Sequence, residues 1–329
     1  MVKVLVNATA AKEGGALTIL NRFCTSKKDC TQKAYVIMSP IKPSVMPFNA
    51  QWIQKSTNGF YTLYFALILS WFFARAYGCK EIISFSNVNT LLPIVKKTTY
   101  FHNLLIIFDR SIKFRVLRFV LSHLFQSSSS FIFQTPYVRD EFVKCFKYSP
   151  SCQVLWPGIS SVQSHSIDNA VIRNLLSCKG TNLVFPVMDI KHEHKNFKLI
   201  VKLSSNILAK HIKFFVPVDE LPEGTPKNII SCGKLNHIDF LTLVKLSDGV
   251  VVASEYETLC LPIFESLLFN KPAFVLSRDY LVGLKALFGG IPGLYTFTDS
   301  KSFYVNIEKA KSVSHDFVRE AYTVGNWNF

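Results

Sequence analysis

What the 329-residue chain lacks narrows its possibilities first. Its eight cysteines stand singly, without a CxxC pair or a Cys/His metal-ligand spacing. That argues against a disulfide scaffold or a zinc module, and it fits reduced thiols in a cytosol. No G-x-G-x-x-G occurs, so the dinucleotide fingerprint is missing. No signal peptide precedes the first strand-like run, Lys3–Val6, and no internal repeat is visible. The longest charge-free apolar stretch, Phe60–Ala74, has 15 residues, short of the roughly 20 that a membrane span needs. A core helix of a first domain is expected there. Acidic residues are scarce in one half only. Residues 1–157 carry 19 Lys/Arg against 6 Asp/Glu, or +13, and the remainder carries 18 against 16, or +2. The basic half calls for an anionic partner such as a membrane surface. Nucleic acid ranks low as that partner, since no RNA- or DNA-binding motif accompanies the charge.

Apolar residues make up 49% of the chain, enough for about two domains with sizeable cores. Strand-like runs alternate with helical patterns in both halves. The pattern predicts α/β architecture, with two Rossmann-like domains and a cleft between them.

The most informative stretch is Val250–Ser277. It reads as a buried strand, a loop carrying Glu255 and Glu257, a short helix beginning at Pro262, and a second strand from Ala273. Asn270 suits a left-handed helix end, and Lys271-Pro272 blocks continuation. A strand-loop-helix presents free backbone N–H groups and a positive dipole end to an anion, usually phosphate. Carboxylates beside it take hydroxyls instead. Glu257 and Glu265, with seven residues between them, therefore suit a diphosphate flanked by two polyols, which is a nucleotide sugar. The residues alone also allow an ordinary βαβ corner with a helix-capping Glu.

Ser254, Tyr256, Glu257, Leu261, Pro262, Glu265 and Pro272 together resemble the nucleotide-sugar motif of family 4 retaining glycosyltransferases of the GT-B fold. Two positions depart: Thr258 and Cys260 stand where that family usually has glycine. The resemblance implies that Glu265 binds the ribose and Glu257 the transferred sugar, with Leu261 at the donor. His194-Lys195-Asn196 resembles the family's His-Lys-Asn, which implies that Lys195 contacts the diphosphate with Asn196 beside it. The family's second cation is replaced by Asp189, leaving Lys191 or Lys234 as substitutes. Gly14-Gly15, after the loop Asn7-Ala8-Thr9, resembles the family's glycine loop facing the donor diphosphate. His102 follows a strand-like Thr-Tyr-Phe and matches a family histidine that faces the sugar. It is a candidate for holding the donor sugar or orienting the acceptor, not a general base. Gly233 is expected to border the nucleobase.

Three elements complete the reading. Ile112–Gln126 is predicted to be an amphipathic helix, with Ser111, Arg115, Arg118 and Ser122 on a polar stripe and Phe114, Leu117, Leu121 and Leu124 inward. His192 and His194 lack the partners of a metal set, so no metal is expected and the nucleotide sugar is the only small molecule implied. The expected domains are 1–157 on the acceptor side and 158–310 for the donor, with a C-terminal helix at 311–329 packing back on the first. The resemblance implies transfer of a hexose to a lipid-linked saccharide during bacterial surface-polysaccharide assembly (O-antigen or capsule). The enzyme would be cytoplasmic and peripheral on the inner face of the cytoplasmic membrane. A GT-B nucleotide-sugar epimerase and a non-catalytic glycosyltransferase-like subunit are the alternatives.

Overall fold

The computed structural model describes residues 1–124, 126–148, 150–159, 180–311 and 320–329. The expected connection Ser160–Cys178 lies outside the described residues. The chain divides into two compact units, Met1–Gly158 with Val324–Phe329, and Ile159–Thr323.

The first unit holds one seven-stranded sheet in the order β3-β2-β1-β4-β5-β6-β7. Its strands are β1 (Val2–Asn7), β2 (Lys33–Ser39), β3 (Ala50–Gln54), β4 (Glu81–Ser84), β5 (Lys96–Phe101), β6 (Ser130–Phe133) and β7 (Cys152–Val154). The second holds six strands in the order β10-β9-β8-β11-β12-β13. They are β8 (Thr181–Val184), β9 (Ile212–Val216), β10 (Ile229–Ser231), β11 (Gly249–Val252), β12 (Ala273–Leu276) and β13 (Leu294–Phe297). Every pairing is parallel.

Parallel strands are covered on both faces, so they need unbroken apolar runs. Val4-Leu5-Val6, Phe214-Phe215-Val216 and Val250-Val251-Val252 supply them and are buried. In the first unit Phe101, Phe131, Phe133 and Phe142 centre one core and Leu5, Val36, Phe65 and Ile82 another. Leu183, Phe185, Phe214, Val251, Phe274 and Phe303 centre that of the second unit. In each sheet the strand order reverses once, between β1 and β4 and between β8 and β11. Open α/β sheets hold ligands beyond the carboxyl ends of the strands at that reversal.

The helix Gly59–Ala76 contains a π-helical turn at Phe65–Leu69. Phe65, Ala66, Ser70 and Ala74 are fully buried, whereas Phe60 is 67% and Phe72 54% exposed. The expected core helix is therefore core on one face only; length and apolarity do not reveal which side is covered. The predicted helix from Ile112 ends at His123, short of Gln126.

The expected helix over 311–329 is described only at Glu320–Thr323, with 312–319 outside the described residues. Val324–Phe329 is not helical. Gly325 passes so close to the Pro157 carbonyl that a Cβ would collide with it. This brings Trp327 into the first unit's core, 3% exposed. Its ring lies 5.7 Å from that of Phe23 and 5.8 Å from that of Tyr100. Its indole N–H donates to the Pro157 carbonyl at 3.0 Å, and Lys27 Nζ donates to the Trp327 carbonyl at 2.5 Å. Trp327→Ala is expected to destabilise the first unit by about 3–5 kcal/mol through the cavity left behind. Urea denaturation checks this, and Trp327→Phe should lose markedly less.

Candidate functional site

The strand reversal in the second unit places two loops side by side, one following β8 and one following β11. After β8, a single 3-10 turn, Glu193–Lys195, leads to Asn196 at φ +57°. Asparagine is among the few residues that accept this left-handed conformation readily. It turns the chain into the helix Phe197–Ser204 and points Lys195 toward the neighbouring loop. Lys195 Nζ donates to Glu257 Oε1 at 2.5 Å. The two side chains are only 25% and 16% exposed. Burial disfavours the Lys195 ammonium, but the Glu257 carboxylate more than offsets that, and the Lys195 pKa lies above its ordinary value.

Asn196 does not turn to the same space. Its Nδ2 donates to Glu255 Oε1 at 2.9 Å. The Glu255 backbone N–H donates to the His194 carbonyl at 2.8 Å. Arg278, just after β12, completes this corner by donating to Glu255 from Nε at 2.5 Å and Nη2 at 2.9 Å.

The helix Leu261–Leu268 follows, entered through Cys260 at φ +51°. The expected glycine position is thus a left-handed one, and cysteine occupies it with its side chain buried. Burial, with Glu257 nearby, pushes the Cys260 thiol well above its ordinary pKa. Leu261 opens this helix, one residue before the expected start at Pro262, and Asn270 follows its end at φ +58°, the left-handed stop that the sequence predicts. Glu265, on the same helix, has a side chain 8% exposed, and His237 Nε2 lies 2.9 Å from its Oε1. His237 is set by its own helix, His237–Leu246, where Asn236 Oδ1 accepts the Ile238 and Asp239 N–H groups.

Gly233 follows β10 at φ +72°. The adjacent Lys234 donates its backbone N–H to Asp219 Oδ1 at 2.9 Å, with its Nζ 4.0 Å from Asp219 Oδ2. Asp189 accepts the Lys191 N–H at 2.9 Å. The cation whose contacts join the Lys195 corner is Arg278, which the sequence reading missed, as it missed His237. A basic residue directly after a strand's carboxyl end was the available signal for Arg278. An Asn-x-x-Asp cap was the signal for the helix that carries His237. Among the described residues, no group of three His, Cys, Asp or Glu is placed to hold a metal ion.

In the first unit, Gly14 sits at φ +59° and opens the helix Gly14–Ser26. A Cβ at Gly14 or Gly15 would meet no atom within 4 Å, so that turn is open to an approaching group. His102 follows β5. Its backbone N–H donates to Asn87 Oδ1 at 2.8 Å, and its Nδ1 lies 3.5 Å from the Tyr100 carbonyl. Burial lowers the His102 pKa from the ordinary 6.5, and the Tyr100 carbonyl restores part of it. Arg110, Arg115 and Arg118 line an open depression near the helix Ile112–His123. Arg118 does more than sit on a polar stripe, because its Nη1 donates to the Ile106 and Asp109 carbonyls at 2.7 and 2.6 Å.

A lowered folded-state pKa means that the unfolded chain binds the proton more tightly at His102. That contribution is fully present above pH 6.5 and is lost as the pH falls from there through the folded-state value. His102→Asn should give a shallower loss of stability over that range, read from urea midpoints measured at a series of pH values.

No family model matches the chain, and no curated protein matches it in sequence. Solved structures do match. The chain is similar to WaaG, a glycosyltransferase involved in lipopolysaccharide biosynthesis, at 14% identity and TM-score 0.66, covering 98% of this chain and 93% of that one. It is similar to HepE of Anabaena, solved in complex with UDP and glucose, at 14% identity and TM-score 0.65 over 98% and 93%. It is also similar to a UDP-GlcNAc 2-epimerase from Methanocaldococcus jannaschii, at 13% identity and TM-score 0.54 over 98% and 96%. The chain has the GT-B fold.

Proposed function

We propose that the protein is a glycosyltransferase that moves a hexose from a nucleotide-sugar donor to a lipid-linked saccharide. The reading is of family 4 type, with retention of configuration and no metal. The observation that carries it is the Lys195–Glu257 contact at the strand reversal, with Glu265 on the helix that follows. Lys195 would meet the diphosphate, Glu257 the transferred sugar and Glu265 the ribose, with Leu261 at the phosphate end and Gly233 by the base. The resemblance also assigns donor-side roles to His102 and the Gly14-Gly15 turn, and the proposal keeps them.

In the reaction the bond from the anomeric carbon to the diphosphate oxygen breaks, and a bond from that carbon to an acceptor hydroxyl oxygen forms. The diphosphate leaves with the electron pair and takes up the proton that the acceptor hydroxyl loses. Lys195 and the backbone N–H groups at the start of the helix Leu261–Leu268 would stabilise that developing charge, a preorganised electrostatic contribution. Cys260 and Thr258 would narrow the space that glycines leave for the sugar, and so shape which hexose enters. HepE, a neighbour in structure, was solved with UDP and glucose, which supports a nucleotide-sugar donor here. The epimerase reading is favoured only by a structural likeness with a lower TM-score; it would convert donor without any acceptor.

Glu257→Ala and Glu265→Ala should each lower sugar transfer by about 10- to 100-fold, the equivalent of one charge-assisted hydrogen bond of roughly 1.5–3 kcal/mol. Near wild-type rates of both transfer and donor hydrolysis would sink the assignment.

The setting we propose is surface-polysaccharide assembly on the inner face of the cytoplasmic membrane. The +13 half, the arginines at the helix Ile112–His123 and the exposed Phe60 and Phe72 support a first unit that docks on anionic lipid. Binding to anionic vesicles is expected at low salt and should weaken at high salt. Failure to bind at low salt would refute the docking.

A further inference from the structure

Glu255 is not in the nucleotide-sugar motif, yet it is held by side chains from two other loops. Its carboxylate accepts a two-pronged contact from Arg278 and a third hydrogen bond from Asn196 Nδ2. Its backbone N–H holds the His194 carbonyl at 2.8 Å. Three loops, after β8, β11 and β12, are thus tied to one residue. Lys195 lies between His194 and Asn196, so both of its chain neighbours are fixed to Glu255. The Lys195 backbone, from which the ammonium reaches the β11 loop, cannot shift relative to that loop unless one of those contacts breaks.

Three of the five N–H groups of Arg278 are directed to neighbours within the protein. Its Nε and Nη2 go to Glu255, and its Nη1 donates to the Ser277 carbonyl at 2.9 Å. The pair is also a poor candidate for holding the fold together. The side chains are 38% and 33% exposed, and ion pairs of that exposure contribute little to stability. What the fork supplies is direction: a planar guanidinium on a carboxylate fixes both partners in orientation as well as distance.

We infer that Glu255 and Arg278 are positioning residues, a clamp that sets where the Lys195 ammonium meets the ligand's diphosphate. The inference rests on the donor-site reading above. It predicts that breaking the clamp weakens diphosphate binding while leaving the folded state nearly as stable. Misplacing a binding group by about 1 Å is enough to cost up to roughly 100-fold.

The experiment uses the full chain and two readouts. Urea midpoints report folding. Calorimetric titration with ADP, CDP, GDP, UDP and dTDP reports binding without any need for an acceptor. Arg278→Ala and Glu255→Gln should each bind the preferred diphosphate about tenfold or more weakly, with a midpoint close to wild type. Arg278→Lys should restore only part of the affinity, because an ammonium cannot fork. The double variant should bind no worse than the weaker single one, since both substitutions break the same clamp. If the wild type binds and the variants bind equally well, the clamp is wrong and the donor-site reading stands. If affinity falls only in step with the urea midpoint, the pair is structural and the inference is overturned. If the wild type binds none of the five, the donor-site reading fails and the inference falls with it.

Discussion

The second unit is organised around one ion pair. Lys195 and Glu257 stand on different loops, and each is largely withdrawn from water. Separating two such groups is costly, because each would be left with an uncompensated charge in a poorly solvated place. The ligand favoured most is one that compensates both partners at once. It has to bring negative charge for the ammonium and hydrogen-bond donors for the carboxylate, joined at short range. Phosphate beside sugar hydroxyls meets that requirement, and few other biological groups do. In the proposed function the contact would act as a selection rule, which supports that reading alongside the likeness in fold.

The sheet makes the pair possible. Strand order reverses between β8 and β11, and the crossover helices leave from opposite sides of that point. The loops after these strands consequently open beside each other, with no element between them. The helix Leu261–Leu268 starts from the same corner, which adds its positive end to the site. Glu265 is held differently. It is nearly buried and is anchored by His237, so its carboxylate is preset on a helix. The Lys195 position depends instead on loop contacts around Glu255.

Much of this was legible in the sequence, and the failures have physical causes. Val250–Val252, Pro262 and Asn270 announced a strand, a helix start and a left-handed stop, because local chemistry dictates each. The parallel sheets were readable from apolar runs such as Phe214–Val216, since burial on both faces removes alternation. Lys195 and Glu257 were found separately by motif. Their mutual contact was not, because pairing across 62 residues leaves no local trace. Arg278 was overlooked for the same reason: its partner lies 23 residues earlier. Cys260 is instructive, since the sequence places it where glycine is usual, and the structure shows that the left-handed backbone persists without glycine. The helix Gly59–Ala76 exposes the limit of composition. Apolarity predicted the helix but not that Phe60 and Phe72 would face outward.

The central claim is that Lys195 receives phosphate and Glu257 receives sugar. Titrating Lys195→Met and Glu257→Gln with a nucleotide sugar, and separately with its sugar-free nucleoside diphosphate, separates the two roles. Lys195→Met should weaken both ligands, whereas Glu257→Gln should weaken the nucleotide sugar and leave the diphosphate nearly unchanged. Equal losses of both ligands in both variants, or no loss in either, would contradict the account.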